Sequence, residues 1–597
     1  MRSRFWLVAC VALLTPAAAG AQTARNVLLV VNEQSADSVR IGDHYARARS
    51  LPPTHVVRLQ VPVADVIARG DYARMIEGPI GAWLSRHGLQ DDILYLVLTK
   101  GLPLRVAGVG GRDGTTASVD SELTLLYRRL TGAPVPVIGR VPNPYFHDQR
   151  PLSDAQPFTR SAYDLYLVTR LDGFTAEDVL ALIDRGMTPS TRGVVVLDER
   201  RAAHEVGGDD WLEAAATRLR AMGAADRVML ELTPAAVATS EPVVGYSSWG
   251  SNDPANARRR LGLSFVPGAI GALYVSSDAR TFTEPPPAWK PTGGSPRNGA
   301  SPSLAGDLVR DGLTGVGASV SEPYLDGTLR PDVLFPAYLS GFNLAEAFYL
   351  SMPYLSWQSV IVGDPLCVPF PRTFPEPDEP SAGIDDATLL PSTFAERRLA
   401  VLAGGGRKPE ALKLLMRLEA LAARGDTSQK ESLLVRATDI DPELVGAQLQ
   451  LAMVYDGEGA YDQAIARYRL VLDRDPQNVI AMNNLAYALA VQKKQPAEAL
   501  PLAERAYRIS RLAVVADTLG WIHHLLGRND LAAPLLEQAV AATDSADVLI
   551  HAAVVALETG DAARARKHLD AALSRDAKLA DRADVKALRE RLRVPRP

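Results

Sequence analysis

Cysteine is nearly absent: the chain has two in 597 residues, Cys10 and Cys367. Cys10 falls in an N-terminal segment read below as removable. No intrachain disulfide can then staple the rest, and the fold must rest on an apolar core. Charge of one sign is also missing. Lys and Arg number 64, Asp and Glu 69, and the formal net charge is −5. That balance lacks the basic footprint of a nucleic-acid or anionic-membrane binder. No GxSxG elbow, HExxH or P-loop is present. His523 and His524 are adjacent, without the i,i+4 spacing of a helical metal pair. Neither a metal nor a cofactor is expected.

What is present begins with Arg2 and Arg4, an apolar run from Phe5 to Leu14, Pro16, and small residues from Ala17 to Ala21. This is the pattern of a secretory signal over 1–21, with a cut after Ala19-Gly20-Ala21. The run is too short for a membrane anchor. Cys10 lacks the small-residue setting of a lipoprotein cut. The chain is therefore expected to be exported to the periplasm or cell envelope, with no integral membrane segment after cleavage.

At this length the chain should divide into several domains. Residues 22–370 alternate apolar runs with amphipathic stretches. Strands are expected at 26–32 (NVLLVVN), 56–61, 92–99 (DILYLVLT), 135–139, 193–197, 243–246, 271–275 and 315–320. Helices are expected at 38–49, 72–87, 163–171 and 175–185. Strands apolar on both faces and separated by helices indicate a three-layer α/β domain around a parallel sheet.

In such sheets, sites form beyond the carboxyl ends of strands. That rule selects the loop holding Lys100, Gly139-Arg140-Val141, the segment VVGYSSWGSNDP (243–254), and SSDART (276–281). Trp249, Ser251, Asn252, Asp253, Ser276, Ser277, Asp278 and Arg280 are the candidate ligand contacts there. Glu322, in VSEPYLD, is a further one. The same Gly, Ser, Asn and Asp residues also serve as turn formers, and Asp253 suits the cap of a helix starting near Ala255. Chemistry would need a base near a nucleophile. Neither loop holds a histidine, and His147, in NPYFHD, is the remaining source. Cys367, in VGDPLCVP, reads as a buried small hydrophobe.

The segments LVLTKGLPLRV, GYSSWGSND, GALYVSSDARTF, SLAGDLVRDGLTGVGASVSEPYLD and LAEAFYLSMPYLSWQSVIVGDPLCVP together resemble an uncharacterised bacterial family associated with exosortase-type sorting systems. The order of elements is also similar to the gingipain-type peptidases of the caspase-like fold. That resemblance places Trp249-Gly250 where a catalytic histidine-glycine would stand. It places Tyr274 to Ser277 where the nucleophilic cysteine would stand. Leu344 to Phe348 and Gly363 to Leu366 match later segments. Both catalytic residues are missing, so the resemblance implies a shared topology and a groove without the peptidase mechanism.

Residues 371–392 (PRTFPEPDEPSAGIDDATLLPS) are rich in proline and acids and read as an extended linker. Beyond it the pattern is helical. A degenerate helical pair is expected over 393–441. Over 442–597, Ala452, Ala486, Gly520 and Ala553 recur at 34, 34 and 33 residues (486 − 452, 520 − 486, 553 − 520). Ala464, Ala499, Ala532 and Ala565 follow twelve or thirteen residues later. This resembles tetratricopeptide repeats, closed by a capping helix over 583–592. Such repeats stack into a superhelix whose concave face binds peptides or proteins. Asn483 and Asn484 are candidate contacts there.

Two readings of function follow. One is an exported, noncatalytic scaffold in an envelope or protein-sorting context: a peptidase-like domain joined to a repeat array that binds a protein or peptide partner. The other is a hydrolase using Ser276 or Ser277 with Asp278, and His147 as a distant base.

Overall fold

The structure, a computed structural model, describes residues 22–593 apart from 138, 149, 201–206, 234, 236, 257, 292–302, 373 and 375–382. The expected signal segment, and part of the expected linker, lie outside the described residues. The chain forms two compact units, 1–401 and 402–597.

The first unit is built on a ten-stranded sheet. Its strands are β1 (Val27–Asn32), β2 (Val56–Leu59), β3 (Tyr95–Thr99), β4 (Leu167–Leu171), β5 (Val194–Asp198), β6 (Val228–Glu231), β7 (Pro242–Ser248), β8 (Ser264–Leu273), β9 (Gly315–Ser319) and β10 (Ser359–Val362). Their order is β6-β5-β7-β8-β9-β10-β4-β3-β1-β2. Pairing is mostly parallel, and β9 with β10 is antiparallel. β1, β3 and β4 are buried along their whole length, which is why they read as unbroken apolar runs.

Two expectations fail. Residues 163–171 are expected to be helical, yet 167–171 form β4 at the middle of the sheet. An apolar stretch buried on both faces carries no period of its own. Its one charge, Arg170, is fully buried and held by Asp120 at 2.6 Å and Asp172 at 3.1 Å. Residues 135–137 form no strand. β6 and β10 add strands that the sequence pattern does not reveal.

The first unit's helices include α1 (Ala36–Ala48), α2 (Ala176–Met187), α3 (Gly208–Ala221), α4 (Ala305–Asp311) and α5 (Leu344–Leu350). Helix α6 (Ser392–Ala403) begins on this unit. Phe394 packs edge-on against Tyr127 at 5.5 Å, and Arg397 donates to the carbonyls of Ser161 and Tyr163.

The second unit is all helix. α7 (Pro409–Ala423) and α8 (Lys430–Ile440) precede four antiparallel pairs. These are α9 (Val445–Gly457) with α10 (Tyr461–Arg474), α11 (Val479–Tyr487) with α12 (Pro496–Ile509), α13 (Ala513–Leu525) with α14 (Asn529–Ala542), and α15 (Ala546–Glu558) with α16 (Ala562–Arg575). α17 (Ala583–Arg593) follows. The recurring alanines are fully buried where the paired helices meet. At Gly520 a methyl group would stand 2.9 Å from Leu536, so this repeat takes glycine where the others take alanine. No helix among the described residues is long and apolar enough to cross a membrane.

Candidate functional site

The strand-end loops of the first unit meet, but chiefly to bind one another. Lys100, after β3, donates its Nζ to the carbonyls of Gly173 and Phe282 and lies 3.4 Å from Asp172. It therefore ties the loops after β3, β4 and β8 together. Asp278, after β8, accepts the Ser319 amide at the end of β9.

Trp249 is expected on a groove wall and is instead buried, 7 % exposed, within the apolar core. Its indole N–H donates to Asp209 of α3 at 2.7 Å, and its ring lies 5.1 Å from that of Tyr274. The approach of α3 requires Gly208, where a Cβ would stand 2.3 Å from the indole. Asn252 donates its amide to the Tyr274 carbonyl at 2.6 Å. Ser251 and Ser303 exchange reciprocal backbone-to-hydroxyl bonds. Asp253 accepts the Ala255 amide in a turn, and no helix starts there. These residues close the loop over the end of β7.

The next loop differs. Ser276 is half-buried. Ser277 is buried and its hydroxyl has no partner, and Asp278 Oδ2, fully buried, has none either. Burial pushes the Asp278 carboxyl up to about 7. Arg280 donates to the Ser277 carbonyl at 2.9 Å. Glu322 is exposed and accepts the amide of Tyr324. His147 is buried with Nε2 donating to the Pro151 carbonyl at 2.8 Å, and it makes no hydrogen bond to the Ser277 hydroxyl. The Cys367 thiol is fully buried beside Tyr338 and pushed up to about 12 by burial, which removes it as a nucleophile at neutral pH.

A shallow surface depression lies beside Gly250. Asn256, Arg258, Arg259, Leu273, Ser303 and Asp307 line it. Arg259 pairs with Asp307 at 2.8 Å, and Asn256 Oδ1 is buried without a partner. The pattern of strand ends does not select these residues, although the signal is adjacent: ANARRR follows VVGYSSWGSNDP directly. Nearby, burial, with Asp253 and Glu231 adding repulsion, pushes Asp198 up to about 6. Among the described residues no cluster of three or more His, Cys, Asp or Glu is placed to hold a metal ion.

The second unit offers a different surface. The first helices of successive pairs lie side by side, so equivalent positions form rows. Asn483 and Asp517 hold equivalent positions in α11 and α13, and His551 in α15 lies one position past the equivalent, because that step is 33 residues. Asp517 Oδ1 lies 2.9 Å from His551 Nδ1. Trp521, one turn along from Asp517, stacks on His551 at 4.0 Å and 17°. Asn483 Oδ1 is buried and has no partner, while Asn484 donates to the Tyr468 hydroxyl. The repeat pattern does not single out Asp517, Trp521 and His551, because they differ in residue type and His551 lies one position off the repeat register.

Residues 449–513 and 519–580 match the tetratricopeptide repeat family. The C-terminal unit carries tetratricopeptide repeats. Solved structures similar to it include a thermophilic tetratricopeptide-repeat protein of Thermus thermophilus, at 22% identity. That match covers 31% of this chain and 100% of the other, with a TM-score of 0.26. YrrB, described as having an unusual peptide-binding site, matches at 18% identity over 32% of this chain and 96% of its own, TM-score 0.26. PilW, a type IV pilus biogenesis factor, matches at 18% over 30% and 91%, TM-score 0.26. No curated protein matches the sequence. The repeats suggest a protein-binding scaffold.

Proposed function

We propose that this protein is an exported scaffold that holds a peptide or protein partner on the row of first helices in its repeat array. The observation that carries this reading is the row itself. Asn483, Asp517 and His551 place buried hydrogen-bonding groups on three successive first helices, and the half-buried indole of Trp521 stacks on His551. That mixture suits an extended peptide, whose backbone presents donors and acceptors at each residue.

The first unit takes the part of a noncatalytic companion domain. The gingipain-like reading is supported by the order of its elements: Trp249-Gly250 after β7, Tyr274 to Ser277 after β8, α5, then Gly363 to Leu366 after β10. The noncatalytic reading is supported by a buried tryptophan in the place of a base and by the engaged His147. The segment over 1–21 supports export, and the sorting-system resemblance supports an envelope setting.

The full mature chain and a chain ending at Val401 are panned against a displayed random-peptide library. Enrichment of a common motif by the full chain alone supports the reading. Equal enrichment by the shortened chain moves recognition to the depression beside Gly250. A second reading, hydrolysis at Ser277 with Asp278, is favoured by their two unpartnered buried oxygens. Labelling of Ser277 by a fluorophosphonate, lost in Ser277→Ala, would establish it.

A further inference from the structure

Gln22, the first described residue, is held by its side chain at four points. Its Nε2 donates to the Phe158 carbonyl at 2.9 Å and to Glu346 Oε1 at 2.8 Å. Its Oε1 accepts from the Tyr95 hydroxyl and from Asn343 Nδ2. All four partners are buried, and they come from three separate segments of the fold. The amide's donor and acceptor sides are both matched, which a carboxylate or an apolar side chain in its place would not allow.

The partners are themselves built in. Asn343 and Glu346 form the capping box of α5. The Glu346 carboxylate also accepts the backbone amides of Phe158 and Asn343. It is 3 % exposed, and no cation pairs with it among the described residues. A buried carboxylate without a countercharge is costly.

We propose that Ala21–Gln22 is the processing bond of this chain, and that the fold contains a cradle for the glutamine which that cut turns into the amino terminus. The proposal rests on the export reading above. It joins two independent observations: the small-residue pattern that ends at Ala21, and the four-point hold on the next residue. Hydrolysis by an export-associated peptidase consumes one water and leaves a carboxylate on Ala21 and an ammonium on Gln22. That ammonium arises one glutamine side chain away from Glu346 and gives it a nearby positive charge.

The cradle has a chemical consequence. An amino-terminal glutamine cyclises when its α-amine attacks Cδ and ammonia leaves. Here both ends of the carboxamide are bonded into the fold, so Gln22 stays open-chain.

The complete gene is expressed in an exporting bacterial host, and the protein is analysed by intact mass and amino-terminal sequencing. The expected product is residues 22–597 with an uncyclised glutamine. Export with a cut at another bond overturns the cradle and leaves export standing. An uncut chain confined to the cytoplasm overturns both. A product lighter by one ammonia overturns the hold on the carboxamide. In parallel, residues 22–597 are released from a cleavable fusion as wild type, Gln22→Ala and Gln22→Glu. Gln22→Ala should melt several degrees lower, and Gln22→Glu, which sets a carboxylate against Glu346, lower still. Unchanged melting in both variants overturns the cradle.

Discussion

Asp517 and His551 stand 34 residues apart and meet across adjacent repeats, Oδ1 to Nδ1, at 2.9 Å. The indole of Trp521 lies flat on the same imidazole at 4.0 Å. This contact joins α13 to α15, so it sets the spacing of the proposed binding row as well as contributing to it. Asp517→Ala removes the partner of a buried ring nitrogen and should cost about 1–2 kcal/mol in denaturant unfolding of the repeat unit. A loss below the error of the measurement would mean that the pair is ornamental to the array.

Trp249 is a core residue with one polar tether. Trp249→Ala empties an indole-sized space and removes one hydrogen bond to Asp209, so the first unit should lose about 3–5 kcal/mol. Trp249→Phe keeps most of the volume and should cost about 1–2 kcal/mol, the share of the lost hydrogen bond. Urea unfolding followed by near-ultraviolet circular dichroism separates the two. An alanine variant as stable as the parent would return Trp249 to a ligand-contact role.

Asp278 should make stability fall as pH rises. Its folded value is raised to about 7, above the value of an exposed carboxyl. The native state therefore binds the extra proton, and unfolding becomes easier between about pH 4 and pH 7. Asp278→Asn keeps the acceptor for the Ser319 amide and removes the titration. The variant should be the more stable protein at pH 8, by on the order of 2 kcal/mol, with the gap closing toward pH 4. Melting curves across that range check the sign. A gap that widens toward low pH would contradict it.

Arg170 lies between Asp120 and Asp172 at the centre of the sheet. Arg170→Met leaves two buried carboxylates without their shared cation and should cost about 3–5 kcal/mol. Replacing Asp120 and Asp172 by asparagine in the same chain should recover part of the loss. Failure of any recovery would show that the arginine acts through its packing alone.

The parts of the fold that can be read in advance are those with a local signature. NVLLVVN and DILYLVLT announce buried strands by composition, and the 34-residue recurrence of small residues announces the helical pairs. YLVTRL misleads because its arginine is neutralised by residues 50 positions upstream and 2 downstream, a pairing invisible in the segment itself. The strand-end rule locates the candidate loops, yet the direction of Trp249 depends on Asp209, 40 residues away. In the repeats the register is plain, while the row of Asn483, Asp517 and His551 is hidden by its changing chemistry and by His551 lying one position off that register.

The central claim is that this row holds the partner. It is tested most directly with the peptide motif selected by the full chain, measured by calorimetry against wild type, Asn483→Ala and Trp521→Ala. Both positions face the row, and the loss of one stacking or hydrogen-bonding contact should weaken binding about tenfold or more. Circular dichroism should show the helical content intact. Unchanged affinity in both variants would contradict the claim.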